Sequence, residues 1–443
     1  MLIFCSCFML RKMLLTALLH VVLVSIFAQS SPREDLLANP SLSASNMVAY
    51  PEPKTRNYTP APGGKKAFYI SHYGRHGSRY LTKTEDYEYL NRVFRSADSA
   101  SKLTPLGVDV YRRVRMLSRQ AKNRWGDLTE LGRQQHRDIA RRMVENFPQV
   151  FKGNTVVTAR STLVPRCVLS MMSAVQELTA LNPKLRFNFD ASSYDLYYMN
   201  LQDRVIRDMT KSEKLVNAYN DFCQRHWNER RLSESIFNDT AYINQNIDIH
   251  QISFYLFRLA GSIQNTDYRD ELTLYDVFTS DEIYQNWLTG NAYWFSGFGF
   301  TPLNGNCQPY TQRNLLRNIM LQADSAIKKD EPSVFLRYGH DTMVLPLVCL
   351  MNLNGYGASY SDFEQLVDGG WIDYRAFPMA GNLQFVFYRK NFKDEDVLVK
   401  ILLNENEATL PIQSEIAPYY HWSDVRRYFK EILSAYKSGS RSK

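Results

Sequence analysis

The chain has 443 residues, 53 Lys and Arg against 45 Asp and Glu, a net charge of +8, and 6 cysteines. That length suffices for a large α/β core with a second, smaller domain. No basic run interleaved with aromatics stands out, so no nucleic-acid surface is indicated, while the mild positive excess suits anionic substrates.

At the N-terminus, Arg11 and Lys12 precede an apolar stretch from Met13 to Phe27, and Ala28 offers a small residue for cleavage. Residues 1–28 therefore read as a secretory signal peptide. The apolar run is short for a membrane span and no other segment qualifies. We expect an exported chain, periplasmic or secreted, with no membrane span in its mature form; a retained N-terminal anchor is the alternative. Losing Arg11 and Lys12 with no acidic residue lowers the charge from +8 to +6. Cys5 and Cys7 fall before or inside the leader, since Met9 and Met13 are alternative starts, leaving Cys167, Cys223, Cys307 and Cys349. An oxidising compartment would allow disulfides among them, with partners that spacing cannot choose. Cys167 and Cys349, in apolar surroundings, read as buried free thiols.

Residues 29–64, rich in Pro, Ser and Asn, read as an extended lead-in packed on the core. A first strand at about 66–72 follows, and its end carries Ser71-His-Tyr-Gly-Arg-His-Gly-Ser-Arg79. Leu103-Thr-Pro-Leu-Gly107 and Leu128-Thr-Glu-Leu-Gly132 echo one another, each with a Thr positioned to cap a helix. Thr155 to Ala159 reads as a strand delivering Arg160-Ser-Thr-Leu-Val-Pro-Arg166, with an apolar-faced helix from Val168 to Leu178 behind it. From 190 to 300 the chain mixes aromatic, Asn and charged residues at helical spacing, with few β-runs. Within it, Asn291 to Gly299 reads either as a return toward the site or as an aromatic hinge. Ser333 to Arg337 reads as a core strand leading to Gly339-His-Asp-Thr342, and Asn382 to Arg389 and Asp396 to Leu402 read as late strands. The expected fold is α/β: a mostly parallel central sheet flanked by helices, with a mostly α-helical cap insertion. The core comprises 65–189 and 301–443, the cap 190–300, and the site lies outside the carboxyl ends of the strands.

Two guanidiniums beside one imidazole, Arg75, His76 and Arg79, repel one another unless an anion sits among them. Arginine forks match phosphate oxygens, and a histidine can attack phosphorus to form a covalent intermediate. Taken singly, each residue has a plainer reading. Arg75 and Arg79 could form a solvated basic turn, Arg166 could lie on a helix surface, and His340-Asp341 could simply end a strand. His72 fits a packing or supporting role, His136 orients a loop or helix, and His226, His250 and His421 carry no signal.

Together, these segments resemble the histidine phosphatase superfamily, in the branch of acid phosphatases and phytases. Arg75-His-Gly-Ser-Arg79 resembles its R-H-G-x-R signature, and Leu128-Thr-Glu-Leu-Gly132 with His136 its L-T-x-x-G-x-x-x-H helix start. Arg160 to Arg166 resembles its R-S-T-x-x-x-R segment, and Gly339-His340-Asp341-Thr342 its late H-D motif. The four matches occur in order across most of the mature chain. The resemblance implies His76 as nucleophile, Asp341 as proton donor and then base, and Arg75, Arg79, Arg166 and His340 as phosphate-binding groups. It implies no cofactor and no metal, and no His/Asp/Glu or Cys cluster with metal-ligand spacing argues otherwise.

The implied substrate is a small-molecule phosphate ester. Arg75 to Tyr80 and Gly381 to Arg389 look most like the multiple inositol polyphosphate phosphatases, although that group usually carries H-A-E where this chain has His340-Asp341-Thr342. We therefore expect inositol phosphates such as phytate. The alternatives are a broad-specificity acid phosphatase of the same mechanism and a non-hydrolytic phosphate-binding protein. Oligomeric state carries no signal in the sequence.

Overall fold

The computed structural model describes residues 30–53, 57–200, 203–227 and 229–436; the signal peptide expected over 1–28 lies outside them. One sheet contains β1 (Lys66–Arg75), β2 (Val156–Ser161), β3 (Arg186–Asp190), β4 (Ser333–Gly339), β5 (Asn382–Arg389), β6 (Leu398–Leu403), β7 (Asn406–Glu407) and β8 (Tyr419–His421). Their order is β3-β2-β4-β1-β5-β6-β7, with β8 paired to β6. From β3 to β1 every pairing is parallel. From β1 onward every pairing is antiparallel. The α/β class stands, and the expected parallel arrangement holds for the half that carries the site. The other half turns back on itself because residues 390–397 are too few for the crossover a parallel β5–β6 pair would need.

From Ala67 to Arg75, β1 is buried on both faces, so its run Ala67-Phe-Tyr-Ile shows no polar alternation. The principal helices are α1 (Pro32–Ala38), α2 (Glu85–Ser99), α3 (Pro105–Ala121), α4 (Glu130–Asn146), α5 (Pro165–Leu181), α6 (Glu213–His226), α7 (Ile249–Ile263), α8 (Ser280–Phe298), α9 (Arg313–Ile327), α10 (Asp341–Leu350) and α11 (Trp422–Ala435). On one face of the sheet, Ile70, Val157 and Val334 pack against Met143 of α4 and Met171 of α5. On the other, Tyr69, Tyr73 and Phe385 pack against Ile319 of α9, Val344 of α10 and Phe429 of α11.

The 190–300 segment is mostly helical, and it shares a core with helices that precede it. Phe94 of α2 and Val114 of α3 lie in one cluster with Ile236, Leu256 and Leu259. The two Thr-capped echoes serve different ends of the molecule. Thr104 caps α3 at Gly107, whose missing Cβ would sit 2.2 Å from the Ile236 carbonyl oxygen. Thr129 caps α4 beside the strand end of β1. Asn291 to Gly299 is an aromatic seam along α8: Phe295 meets Trp371 at 5.2 Å and Trp294 meets Phe377 at 4.9 Å between ring centroids.

The lead-in differs from expectation. Up to Met47 it is not extended: it forms α1 and then 3-10 turns over Pro40–Met47, while residues 48–53 and 57–61 carry no helix. Ser31 and Glu34 make a reciprocal capping box with Pro32 at the first helical position, a helix start hidden by the Pro- and Ser-rich composition. Leu36, Ala44, Met47 and Val48 are buried in the main core.

Candidate active site

The parallel register sets Arg75 opposite Gly339 and Ser161 opposite Tyr338, which brings the carboxyl ends of β1, β2 and β4 to one edge. There the His76 N–H donates to the Gly339 carbonyl at 2.9 Å, and the Ala380 N–H to that of His76 at 2.9 Å. Gly77 has no room for a side chain, since an added Cβ would lie 2.3 Å from the carbonyl oxygen of Gly132. One added to Gly132 would lie 2.3 Å from that of Ser78. The turn after β1 and the start of α4 thus pack backbone against backbone, fastened by the Thr129 N–H on the Ser78 carbonyl at 2.9 Å. Ser170 of α5 accepts from the Gly77 N–H at 3.1 Å.

Arg75 is fully buried. Its Nη1 donates to the carbonyls of Phe377, at 3.0 Å, and Asn46, and its Nη2 lies 2.9 Å from Asp341 Oδ2. Arg79 is buried and donates to the Tyr80 carbonyl at 2.9 Å. Arg166 stands in the first turn of α5. The Nε atoms of Arg75, Arg79 and Arg166 are buried without a hydrogen-bond partner among the described residues. Burial, and then the charges of its fellow arginines, pull Arg79 down to about 9. Arg160, which opens the same segment as Arg166, turns away to Asp195 at 3.2 Å.

These three cations surround His76. Burial first, then Arg75, Arg79 and Arg166, hold its imidazole well below the usual histidine range, so it is neutral. Its Nδ1 lies 2.9 Å from the Gly77 carbonyl. A carbonyl can only accept, so Nδ1 carries the proton and Nε2 keeps its lone pair. The His340 ring stands edge-on at 5.8 Å between centroids. His340 Nε2 is 3.3 Å from Thr162 Oγ1, and burial lowers this imidazole to about 4 against the pull of Asp341.

Asp341 is the first residue of α10. Its Oδ1 accepts from the Thr342 N–H at 2.8 Å. Its Oδ2 takes the Asn46 side-chain amide at 2.8 Å and faces Arg75. Burial pushes this carboxyl up, but Arg75, the Asn46 amide and Arg79 outweigh it and hold it at about 2.

All six residues singled out in the sequence, Arg75, His76, Arg79, Arg166, His340 and Asp341, thus meet at one place. Several others there carried no such signal. Asn46 comes from the lead-in, and Ser78 is held by Gln135 and by Asn265 at 2.6 Å, just beyond α7. The capping-box spacing Ser31–Glu34 was the one available hint that the lead-in is ordered. His72 and His136 flank the Tyr338 ring, each at 5.3 Å between centroids, and burial drives both down to about 3, which suits packing beneath the site. The four described cysteines are free thiols. Among the described residues, no group of three or more His, Cys, Asp or Glu could hold a metal ion, and no helix is long and apolar enough to cross a membrane.

Comparison with known proteins gives the same picture. The sequence model described as histidine phosphatase superfamily (branch 2) matches residues 74–404, which include all six residues. Multiple inositol polyphosphate phosphatase 1 of Homo sapiens is 25% identical over 360 residues, covering 70% of this chain and 67% of the relative. The Gallus gallus protein of the same name is 23% identical over 334 residues, covering 69% of each chain. Among solved structures, Bifidobacterium longum multiple inositol polyphosphate phosphatase, in complex with inositol hexasulfate, superposes with a TM-score of 0.73 at 15% identity. That match covers 87% of this chain and 96% of the other. The phytase from D. castellii gives 0.64 at 13% identity, covering 89% and 86%. At such identities the structural likeness speaks for the fold.

Proposed function

Since the chain belongs to branch 2 of the histidine phosphatase superfamily and is a phosphatase, we propose that it cleaves phosphate monoesters through a phosphohistidine on His76, with inositol polyphosphates such as phytate as substrates. The observation that carries this reading is a neutral His76, its Nε2 left with the lone pair, among three guanidiniums whose buried Nε donors have no partner among the described residues. Phosphoryl transfer asks chiefly for positioning and charge stabilisation. Arg75, Arg79, Arg166 and His340 hold the phosphoryl oxygens, and the lone pair of His76 Nε2 attacks phosphorus as the ester P–O bond breaks. The Asp341 carboxyl gives its proton to the departing alkoxide. A water molecule then attacks the phosphohistidine, Asp341 takes that proton, the P–N bond breaks, and orthophosphate and neutral His76 are restored.

A carboxyl held at about 2 is a poor acid only while the arginines act on it alone. A phosphoryl dianion among Arg75, Arg79 and Arg166 cancels much of that positive charge. Burial, which opposes it, then dominates and raises the carboxyl toward the protonated form. The inositol polyphosphate assignment is supported by the names of the human and chicken relatives. Export is supported by Arg11, Lys12 and the apolar run to Phe27. Sequencing the mature N-terminus should find a start after Ala28, and an uncleaved leader would contradict the signal-peptide reading and leave the retained anchor.

Phosphate release from phytate and from p-nitrophenyl phosphate, measured side by side with EDTA present, tests the function. A strong phytate preference is the expected result. Comparable rates would make the protein a broad-specificity acid phosphatase, and no release from either would leave a phosphate-binding protein.

A further inference from the structure

The region that matches the family begins at residue 74, yet one side chain within hydrogen-bonding distance of the acid Asp341 lies well before it. Asn46 touches two members of the site at once. Its side-chain amide donates to Asp341 Oδ2 at 2.8 Å, and its main-chain carbonyl accepts from Arg75 Nη1. Among the described residues, no carboxylate acts on Asp341. The groups acting on it are Arg75 at the end of β1, Arg79 in the following turn, and its neighbour His340; Cys167 of α5 and Tyr73 of β1 lie near it as well. Among the described residues, Asn46 is the one uncharged side chain that bonds it.

The chain is bent deliberately to put Asn46 there. Ser45, immediately before it, has φ 54° and ψ −119°, a conformation that non-glycine residues avoid and that persists only where the surroundings over-determine it. Those surroundings are specific. Ser45 lies beside the buried Asp373 carboxyl, whose Oδ1 accepts from the Trp287 indole at 2.9 Å. On the other side of Asn46, Asn265 donates to the Met47 carbonyl at 2.7 Å and the Met379 N–H to that of Val48 at 2.8 Å. An amide also suits both protonation states of its partner. Its N–H group bonds a carboxylate, and after a half turn its carbonyl accepts from a carboxylic acid.

We propose that Asn46 is a positioning residue for the proton donor, supplied by the N-terminal lead-in, so that Asp341 is aligned and its protonation set by a segment outside the catalytic core. This rests on the reading of Asp341 as the acid. Because the amide favours the ionised carboxyl, its removal leaves Asp341 protonated to higher pH, and the basic limb of the kcat profile moves up.

The test uses the full mature chain. Asn46→Ala should lower kcat on phytate by roughly tenfold or more, while p-nitrophenyl phosphate, whose phenolate needs little protonation, loses about threefold or less. The basic limb on phytate should move to higher pH. Asn46→Asp keeps the shape of the side chain and sets a second carboxylate against Asp341, so its limb should move further in the same direction and guard against a folding artefact in the alanine variant. Asp35→Asn is the structural control. It loosens the lead-in elsewhere, where Asp35 bonds Tyr374 and Arg375, both at 2.6 Å. It should lower the melting temperature without moving the limb. Equal losses on both substrates, an unmoved limb in both Asn46 variants, or the same shift in Asp35→Asn would overturn the proposal. An inactive wild-type enzyme would instead remove the phosphatase reading beneath it.

Discussion

The two sides of the site are built on opposite principles. Around His76, three arginines converge with buried Nε donors that have no partner among the described residues, and burial first, then their charges, keeps the imidazole neutral. Around Asp341, both carboxylate oxygens are already occupied, by the Thr342 N–H on one and by Asn46 and Arg75 on the other. The nucleophile side is a cradle shaped for an anion, whereas the acid side is closed by the protein's own donors. Arg75 belongs to both, so an anion that engages it must also loosen the hold on Asp341. Binding and proton delivery are thereby coupled through one guanidinium.

The largest effect should come from His76→Ala. Losing the nucleophile should reduce turnover of every ester by at least about a thousandfold, with an unchanged melting profile. Activity near wild type would end the phosphohistidine account. On the other side, Asp341→Asn should slow phytate hydrolysis by on the order of 10²–10⁴ and p-nitrophenyl phosphate hydrolysis far less, because only the alkoxide needs the proton. Equal losses would show that the two sides are not divided as described.

Smaller effects concern the frame. Gly77→Ala would drive a Cβ to 2.3 Å from the Gly132 carbonyl oxygen, and backbone has little freedom to retreat. We expect a loss of about 1–3 kcal/mol or more, read by denaturant unfolding, together with reduced activity. An alanine variant as stable as wild type would mean the two segments do not meet as closely as described. Stability should also fall with acid. His72, His76, His136 and His340 all have folded-state values depressed below 6.5 by burial, so the unfolded chain takes up protons first. The melting temperature should therefore begin to fall as pH drops through about 6.5 and keep falling to about 3, where His72 and His136 charge in the fold. A flat profile across that window would contradict neutral buried imidazoles.

Much of this was legible in the chain itself, for identifiable reasons. Arg75, His76 and Arg79 lie within five residues at the end of a strand, and charge alone makes such a cluster ask for an anion. A strand buried on both faces, such as β1, announces itself as a short apolar run, and its end falls where the motif does. The antiparallel half was also within reach, since the short link over 390–397 forbids a crossover. The lead-in was not. Pro, Ser and Asn suit extended chain and helix caps alike, and only the paired contacts of Ser31 with Glu34 decide between them. Asn46 was invisible because nothing local marks it: its partner is 295 positions away.

The most direct measurement is to quench the enzyme with alkali during turnover of phytate and map the phosphoryl group by mass spectrometry. The account predicts one phosphoryl group on the peptide that carries His76, absent from His76→Ala and longer-lived in Asp341→Asn, where water lacks its base. Full turnover with no phosphorylated His76, or a phosphoryl group that persists elsewhere in His76→Ala, would contradict it.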